Sequence, residues 1–474
     1  MSQATPPARL EGAHNDDQIY VPLPTEAQFT ARAIITGCLI GGVVGAMNIS
    51  LGLKIGWSFG GSIIAAILGF SVWAFLHQAL KCRAYGVLET NITQTTGSAA
   101  GAMASAAGLL APIPALAMLD GDNQMKLSYL ELTLWALSVG FLGVFFAVPL
   151  RRQMVVVERL RFPTGTATAQ TIVSIFAEGR QAMRKARMLL IFALIGGAII
   201  LLKFNWTEQW IGKYINNPFL IITGDRPYAD LLNDPTVPGF ILTIGLLIKW
   251  GFYPLATPAM TGAGLIVGPR IGISILAGAI IGWGILGPYV VKQGWTVTET
   301  VFDARHGVQA WILWPGVAIM VADALTSLAL SWRTILNTFR RSPVSEDIDA
   351  FEPPDQRVPN AWWLGGLALG TTAATSVMYF VFGIPVWMTL TAVALSAVLA
   401  AIAVRSTGET DINPIGPMGK VTQLAFAGVA PGQIPTNLMS AAVTGAGASQ
   451  AGDMMHDLKT GRMLGASPRK QILA

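Results

Sequence analysis

The chain has 474 residues, of which 53% are hydrophobic and 12% are charged. A soluble domain carries roughly 25% charged residues, so this composition excludes an ordinary water-soluble globule. The net charge of +5 does not mark a nucleic-acid binder, because the basic residues sit in short clusters between apolar runs.

Residues 1–28 are polar, mix acids with Arg9 and lack an apolar core. They are expected to be a cytoplasmic tail rather than a cleavable signal peptide. Residues 29–474 are then the membrane domain. A spanning helix needs roughly 20 mainly apolar residues. Runs that meet this are 29–53, 57–80, 128–150, 187–204, 238–256, 271–291, 308–332, 361–382 and 385–404. The fold class expected is all-α: a polytopic transmembrane helical bundle with broken or re-entrant segments and an internal repeat.

Between the spans lie stretches rich in Gly, Pro, Thr, Asn and Gln, at 92–118, 163–177, 257–268 and 421–451. They read as broken or re-entrant, and irregular backbone at membrane depth must be buried in protein or line a cavity. Small residues one turn apart recur at Gly41/Gly45, Gly52/Gly56, Gly97/Gly101, Gly278/Gly282 and Gly366/Gly370, the spacing that lets helix backbones approach. A repeat is suggested by Asn48-Ile-Ser-Leu-Gly52 and Asn413-Pro-Ile-Gly416, each followed by an apolar run and a Gly/Ala/Thr/Gln-rich stretch.

Orientation follows from Lys and Arg. Eight lie within 151–187, and others at Lys81, Arg83, Arg333, Arg340, Arg341, Arg357, Lys459, Arg462, Arg469 and Lys470. Cytoplasmic loops collect such residues. This places the N-terminus in the cytoplasm, with 163–177 and 257–268 not crossing fully.

Four motifs can carry chemistry. The first runs from Glu89 through Asn91, Gln94, Thr95 and Gly97 to Gly101. An unpaired polar group in hydrocarbon costs several kcal/mol, so these side chains must meet other helices, water or substrate. The second runs from Thr444 through Gln450 to Asp453, His456 and Asp457. The last three share one helix face at i, i+3 and i+4; they form an ion or proton site, or they mark a helix leaving the membrane. The third is Asp323, alone in an apolar run, a carboxylate for proton coupling or a structural partner on another helix. The fourth is Pro163-Thr164-Gly165, which reads as the N-terminus of a half-helix suited to an anion, or as a loop plug. With four histidines there is no H-E-x-x-H, and neither G-x-S-x-G nor a Walker A loop occurs. An enzyme is therefore not expected, whereas a passive channel stays open as the alternative to a carrier.

Taken together, Asn91-Ile-Thr-Gln94-Thr95, Arg161-Phe-Pro163-Thr-Gly165, Gly262-Ala-Gly264, Gly268-Pro269-Arg270, Gly282-Trp283-Gly284, Gly287-Pro288, Val358-Pro359-Asn-Ala-Trp362-Trp363 and Thr444 through Gln471 resemble the oligopeptide transporter family, which includes the yellow-stripe-like metal-chelate transporters. A bacterial-type member is expected. The Asn-Pro-Gly-Pro-Phe-Asn motif of the eukaryotic peptide branch is absent, a departure that bears on the peptide substrate. The resemblance implies an all-helical, proton-driven importer of oligopeptides or metal chelates that arose by internal duplication. Relatives continue with further spans where this chain reaches Ala474, so a shortened homologue or a fragment is expected. Expected substrate-binding residues are Asn91, Gln94, Thr95, Gly97, Thr164, Gly165, Asn413 and Gln450, and expected proton-coupling residues are Asp323, Glu89 and Asp453. No cofactor or metal is expected beyond the coupling proton. The expected partners are the lipid bilayer of the plasma (inner) membrane and a small peptide or metal-chelate substrate, with no nucleic acid. A homodimer is among the assemblies left open.

Overall fold

In the computed structural model, the described residues are 18–55, 60–106, 108–109, 111–119, 127–177, 269–296, 307–330, 358–411 and 413–474, with isolated residues between 184 and 198 and between 262 and 265. Among them every regular element is helical. The expected spans 187–204 and 238–256 and the irregular stretch 257–268 lie wholly or largely outside the described residues.

In chain order the helices are α1 (Ala31–Ile55), α2 (Ser62–Leu80), α3 (Val87–Ala106), α4 (Pro112–Leu119), α5 (Tyr129–Arg151) and α6 (Pro163–Ala177). After these come α7 (Pro269–Ala279), α8 (Gly287–Lys292), α9 (Val308–Leu330), α10 (Asn360–Phe380), α11 (Val386–Thr410), α12 (Ile415–Val429), α13 (Ile434–Met463) and α14 (Pro468–Leu473). Wider π-helical turns extend α5 over Arg152–Val157 and join α7 to α8 over Ile280–Leu286. Among the described residues five stretches are long and apolar enough to cross a membrane: Ala31–Leu53, Ser62–Leu80, Tyr129–Val157, Pro269–Lys292 and Val386–Thr410.

The chain divides into two compact units. One comprises Met1–Ala186 with Val321–Ala474, and the other Arg187–Met320. In the second, Trp295 packs on Trp311, whose indole Nε1 donates to the Trp295 carbonyl at 2.9 Å.

The first unit is built around α3 and α13. Every residue from Val87 to Ser98 is buried, as is every residue from Met439 to Gly452. These are among the most polar and glycine-rich helices, whereas apolar α1 turns Leu39 and Val43 outward, 68% and 72% exposed. A protein in water arranges its residues the other way round. In hydrocarbon the pattern is expected, since apolar side chains cost nothing against lipid and polar ones must find partners inside.

Close approach explains the glycines. Along α1, Gly37 meets Thr93 and Thr96, Gly41 meets Gly97 and Ala100, and Asn48 Nδ2 donates to the Gly101 carbonyl at 2.9 Å, so α1 and α3 run parallel. A methyl at Gly97 would stand 2.6 Å from the Ala65 methyl of α2. Gly370 likewise lies on Leu142, setting α10 against α5. Among the described residues none lies within 4 Å of the place a methyl at Gly278 would take.

The helical breaks fall within two of the stretches that the composition suggested, 92–118 and 421–451, but not at their most polar parts. The polar stretch 91–101 lies inside unbroken α3, and 444–453 lies inside the 30 residues of unbroken α13. Each internal glycine costs about 1 kcal/mol of helix propensity relative to Ala. Continuous helix nonetheless satisfies every backbone group internally, which deep burial demands. Breaks occur instead after α3, where Gly108 has φ +67° ahead of Pro112, between α11 and α12 at Asp411 (φ 67°) and Pro414, and between α12 and α13 at Gly432 (φ +78°).

The asparagines of the two similar segments make similar contacts. Asn48 donates to the Gly101 carbonyl of α3, and Asn413 Nδ2 donates to the Ala448 carbonyl of α13 at 3.0 Å. Each asparagine pins a neighbouring segment onto one of the two polar helices.

Candidate functional site

The centre of the first unit is an antiparallel contact of α3 with α13. Gln450 Nε2 donates to the Ala99 carbonyl at 3.4 Å at one end, and Gln94 Nε2 donates to Asp457 Oδ1 at the other. Ser62, the first residue of α2, donates to the same Asp457 oxygen from 3.2 Å and lies 2.9 Å from the Ser98 hydroxyl. Asp457 is 1% exposed. The side chains that meet its carboxyl, Gln94, Ser62 and Ser98, are all neutral, and Asp453 one turn earlier is also acidic. Asp453 is half-buried and bonds to Ser449.

A second layer fixes this group. Gln471 of α14 donates through Nε2 to the Asp457 carbonyl at 2.8 Å and to Thr95 Oγ1 at 3.2 Å. Asn91 Nδ2 donates to Gln94 Oε1 at 3.2 Å, one turn along α3. Asn91 thus reaches Asp457 through Gln94, and Thr95 is tied to the Asp457 backbone through Gln471. Three buried side-chain oxygens accept no hydrogen bond from a described residue: Asn91 Oδ1, Gln471 Oε1 and, on the segment that bonds the Ala448 carbonyl, Asn413 Oδ1. An unpaired buried acceptor costs about 1–3 kcal/mol, so each of these atoms calls for a further donor, water or solute.

Thr164 and Gly165 belong to a neighbouring arrangement. Pro163 opens α6, as the motif predicted, and the anion at this helix N-terminus is Asp411. Its two carboxylate oxygens accept from the Thr164 backbone N–H at 2.8 Å and from the Thr164 hydroxyl at 2.7 Å. Gly165 presses on the His456 backbone, where a side chain would collide with the carbonyl, and its own carbonyl accepts from Thr460 Oγ1 at 2.8 Å. The His456 ring packs edge-on to Phe162, with Nε2 3.7 Å from Asp411 Oδ1 and Nδ1 unpartnered.

Gly97 is a packing glycine between α3 and α2, and Gln450 lies against Gly143 of α5. Glu89 sits at the start of α3 and is 2% exposed. Arg32 holds it through Nε at 2.8 Å and through Nη2, Arg83 through Nη2 at 2.8 Å, and Thr30 through its hydroxyl at 2.8 Å. Arg32 also lies 4.9 Å from the ring centres of stacked Trp73 and Tyr85. Asp323 is exposed on α9, with no hydrogen bond or ion pair to another described residue.

Sequence reading did not single out Ser62, Ser98, Asp411 or Gln471. Ser62 carried a faint signal, a hydroxyl after Gly60-Gly61 at the start of a span. Asp411 carried another, an acid two residues before Asn413-Pro414. Among the described residues no group of three or more His, Cys, Asp or Glu gathers as a metal site.

An all-helical chain whose described residues turn apolar faces outward and polar ones inward is a multi-pass membrane protein. The family model described as OPT oligopeptide transporter protein matches residues 28–474. The chain belongs to that family, whose members are transporters rather than enzymes. It is 28% identical to a Saccharomyces cerevisiae protein named as a candidate oligopeptide transporter, YGL114W, across 100% of this chain and 78% of that protein. It is 26% identical to a rice protein (Oryza sativa subsp. japonica) named a probable metal-nicotianamine transporter, YSL17, over 71% of this chain and 49% of that protein. An Arabidopsis thaliana protein of the same printed description, YSL5, is 26% identical over 94% of this chain and 66% of its own length. These relatives come from yeast and plants and give no support to a bacterial-type assignment.

Proposed function

We propose that the protein is a proton-coupled symporter that carries small peptides or metal chelates of the nicotianamine kind across the plasma (inner) membrane. The names of the yeast and plant relatives support the substrate class. The observation that carries the reading is the polar core of α3 and α13, with the orphaned oxygens of Asn91 and Asn413. Asn91, Gln94, Thr95, Asn413 and Gln450 offer neutral hydrogen bonds to a solute, and Thr164 and Gly165 offer the N-terminus of α6. Gly97 sets the spacing that brings α3 to α2.

Of the three carboxylates considered for the coupling proton, Asp453 is favoured because it stands one turn from Asp457, so that the two carboxyls can share that proton. Glu89 is committed to two arginines, and Asp323 stands apart on α9. The N-terminus is assigned to the cytoplasm on the basic residues of 151–187. No cofactor is invoked beyond the proton.

The test is uptake into proteoliposomes of di- to tetrapeptides and of iron–nicotianamine, with and without an imposed proton gradient. Saturable, gradient-driven uphill accumulation of either solute is the expected result. Flux that rises linearly with concentration and never accumulates uphill would instead establish a passive pore.

A further inference from the structure

The orphaned oxygen of Asn91 ends a chain of hydrogen bonds whose direction is set by Asp457. Asn91 Nδ2 donates to Gln94 Oε1 at 3.2 Å, and Gln94 Nε2 donates to Asp457 Oδ1. A carboxylate only accepts, and an amide offers a donor at one end and an acceptor at the other. With Asp457 ionised, Gln94 must turn its nitrogen to it, Asn91 must turn its nitrogen to Gln94, and Asn91 Oδ1 is left at the free end. That atom is buried and accepts nothing.

We propose that Asn91, Gln94 and Asp457 form a reversible relay, in which a proton arriving on Asp457 turns the free end of Asn91 from an acceptor into a donor. The proton lands on Asp457 Oδ1, which then donates to Gln94 Oε1 once that amide has turned over. Gln94 Nε2 then faces Asn91, which turns over in response and presents Oδ1 to it. Two hydrogen bonds exist before the proton arrives and two after. Asn91 Nδ2 now occupies the free end. The hydroxyls of Ser62 and Ser98 rotate to follow, since each can donate or accept.

The surroundings favour Asp457 as the switching group. From α2 and α3 its carboxyl faces Ser62, Ser98 and Gln94, and Gln471 of α14 meets its backbone carbonyl, all neutral. On its own helix Asp453 is one turn away, and His456 and Lys459 are its neighbours in sequence. His456 is turned to Phe162 and Asp411.

The inference rests on the transport reading and says which solute the site takes. A donor at Asn91 suits a carboxylate, which free peptides and nicotianamine chelates both carry. Proton and anionic solute then bind cooperatively, which is what symport requires. Coupling between sites is commonly about 5- to 150-fold in affinity.

The experiment uses the full chain in proteoliposomes, with trialanine and iron–nicotianamine as probes. Wild-type affinity is expected to tighten about tenfold or more on acidification. In Asp457→Asn, affinity and counterflow exchange become independent of pH, and the proton gradient no longer drives accumulation. In Gln94→Leu the solute loses its pH dependence although Asp457 still takes up a proton, seen by infrared spectroscopy as the carbonyl stretch of a protonated carboxyl. Wild-type pH dependence in either variant overturns the relay. Should Asp457→Asn fail to fold, Asp457→Glu serves, with a displaced pH profile expected and an unchanged one overturning the proposal. Isotope labelling of the Asn and Gln side chains gives a readout free of transport. Their amide bands must shift together with the carboxyl band, and a carboxyl band appearing without an amide shift refutes the relay even if neither probe is carried.

Discussion

Glu89 and Asp457 are carboxylates at α3 with nearly the same burial, 2% and 1% exposed. Glu89 sits on α3 and accepts from two arginines, a threonine and the Gly86 backbone N–H. Asp457 reaches α3 from α13 and accepts only from neutral side chains. Burial by itself therefore does not say what a carboxylate does. A charge matched by guanidinium groups holds a structure in place, and removing one partner of a buried pair is costly. A carboxylate met only by amides and hydroxyls can gain a proton and keep its hydrogen bonds, because its partners can reverse their roles. The first arrangement serves as an anchor, whereas the second can act as a switch.

This contrast is open to direct attack. The largest effect is expected at Glu89→Ala, which strands Arg32 against Trp73 and Tyr85. Stability should fall by about 3–5 kcal/mol, read as a loss of monodisperse protein and a lower melting temperature in detergent. A small effect there would show that Glu89 is as replaceable as a switching group. Next comes Gly165→Val, which drives a side chain into the His456 backbone. Overpacking of this kind costs about 1–3 kcal/mol, and the same melting experiment measures it. Asp411→Ala removes the cap of α6 and should cost about 1 kcal/mol, with amide exchange in the first turn of α6 accelerating before the rest of the protein. The smallest change in stability is expected for Asp457→Asn. Asn keeps an acceptor for Gln94 and Ser62 and removes an uncompensated charge, so the melting point should move by less than about 1 kcal/mol in equivalent stability. A collapse of Asp457→Asn comparable to Glu89→Ala would place both carboxylates in the same structural class.

Much of the architecture was legible residue by residue. Apolar runs at 29–53, 128–150 and 385–404 became α1, α5 and α11 with ends shifted by a few residues. Pro163 was read as a helix start and is one. The polar stretches 91–101 and 444–453 read as broken backbone in the sequence and are continuous helix in the fold. Gly, Thr and Asn weaken an isolated helix, and nothing local in 444–453 reveals that Ser396, Phe146 and Asn413 press on its glycines from three sides. Asp457 was noticed but could equally be read as a helix end leaving the membrane, because Lys459 and Arg462 follow it directly. Glu89 was read as a coupling candidate, since Arg32 lies 57 residues away in sequence and shows no sign of reaching it.

The sequence by itself determined that the chain is helical, that it lives in a membrane, where most helices run and which family it belongs to. Those properties follow from side-chain hydrophobicity, from proline and glycine geometry and from short motifs, all of which act within a few residues. Tertiary structure alone decided which buried carboxylate is neutralised and which is not. Gln94 and Asp457 are 363 residues apart in the chain, and the state of a buried charge is set by the groups that packing brings within hydrogen-bond reach.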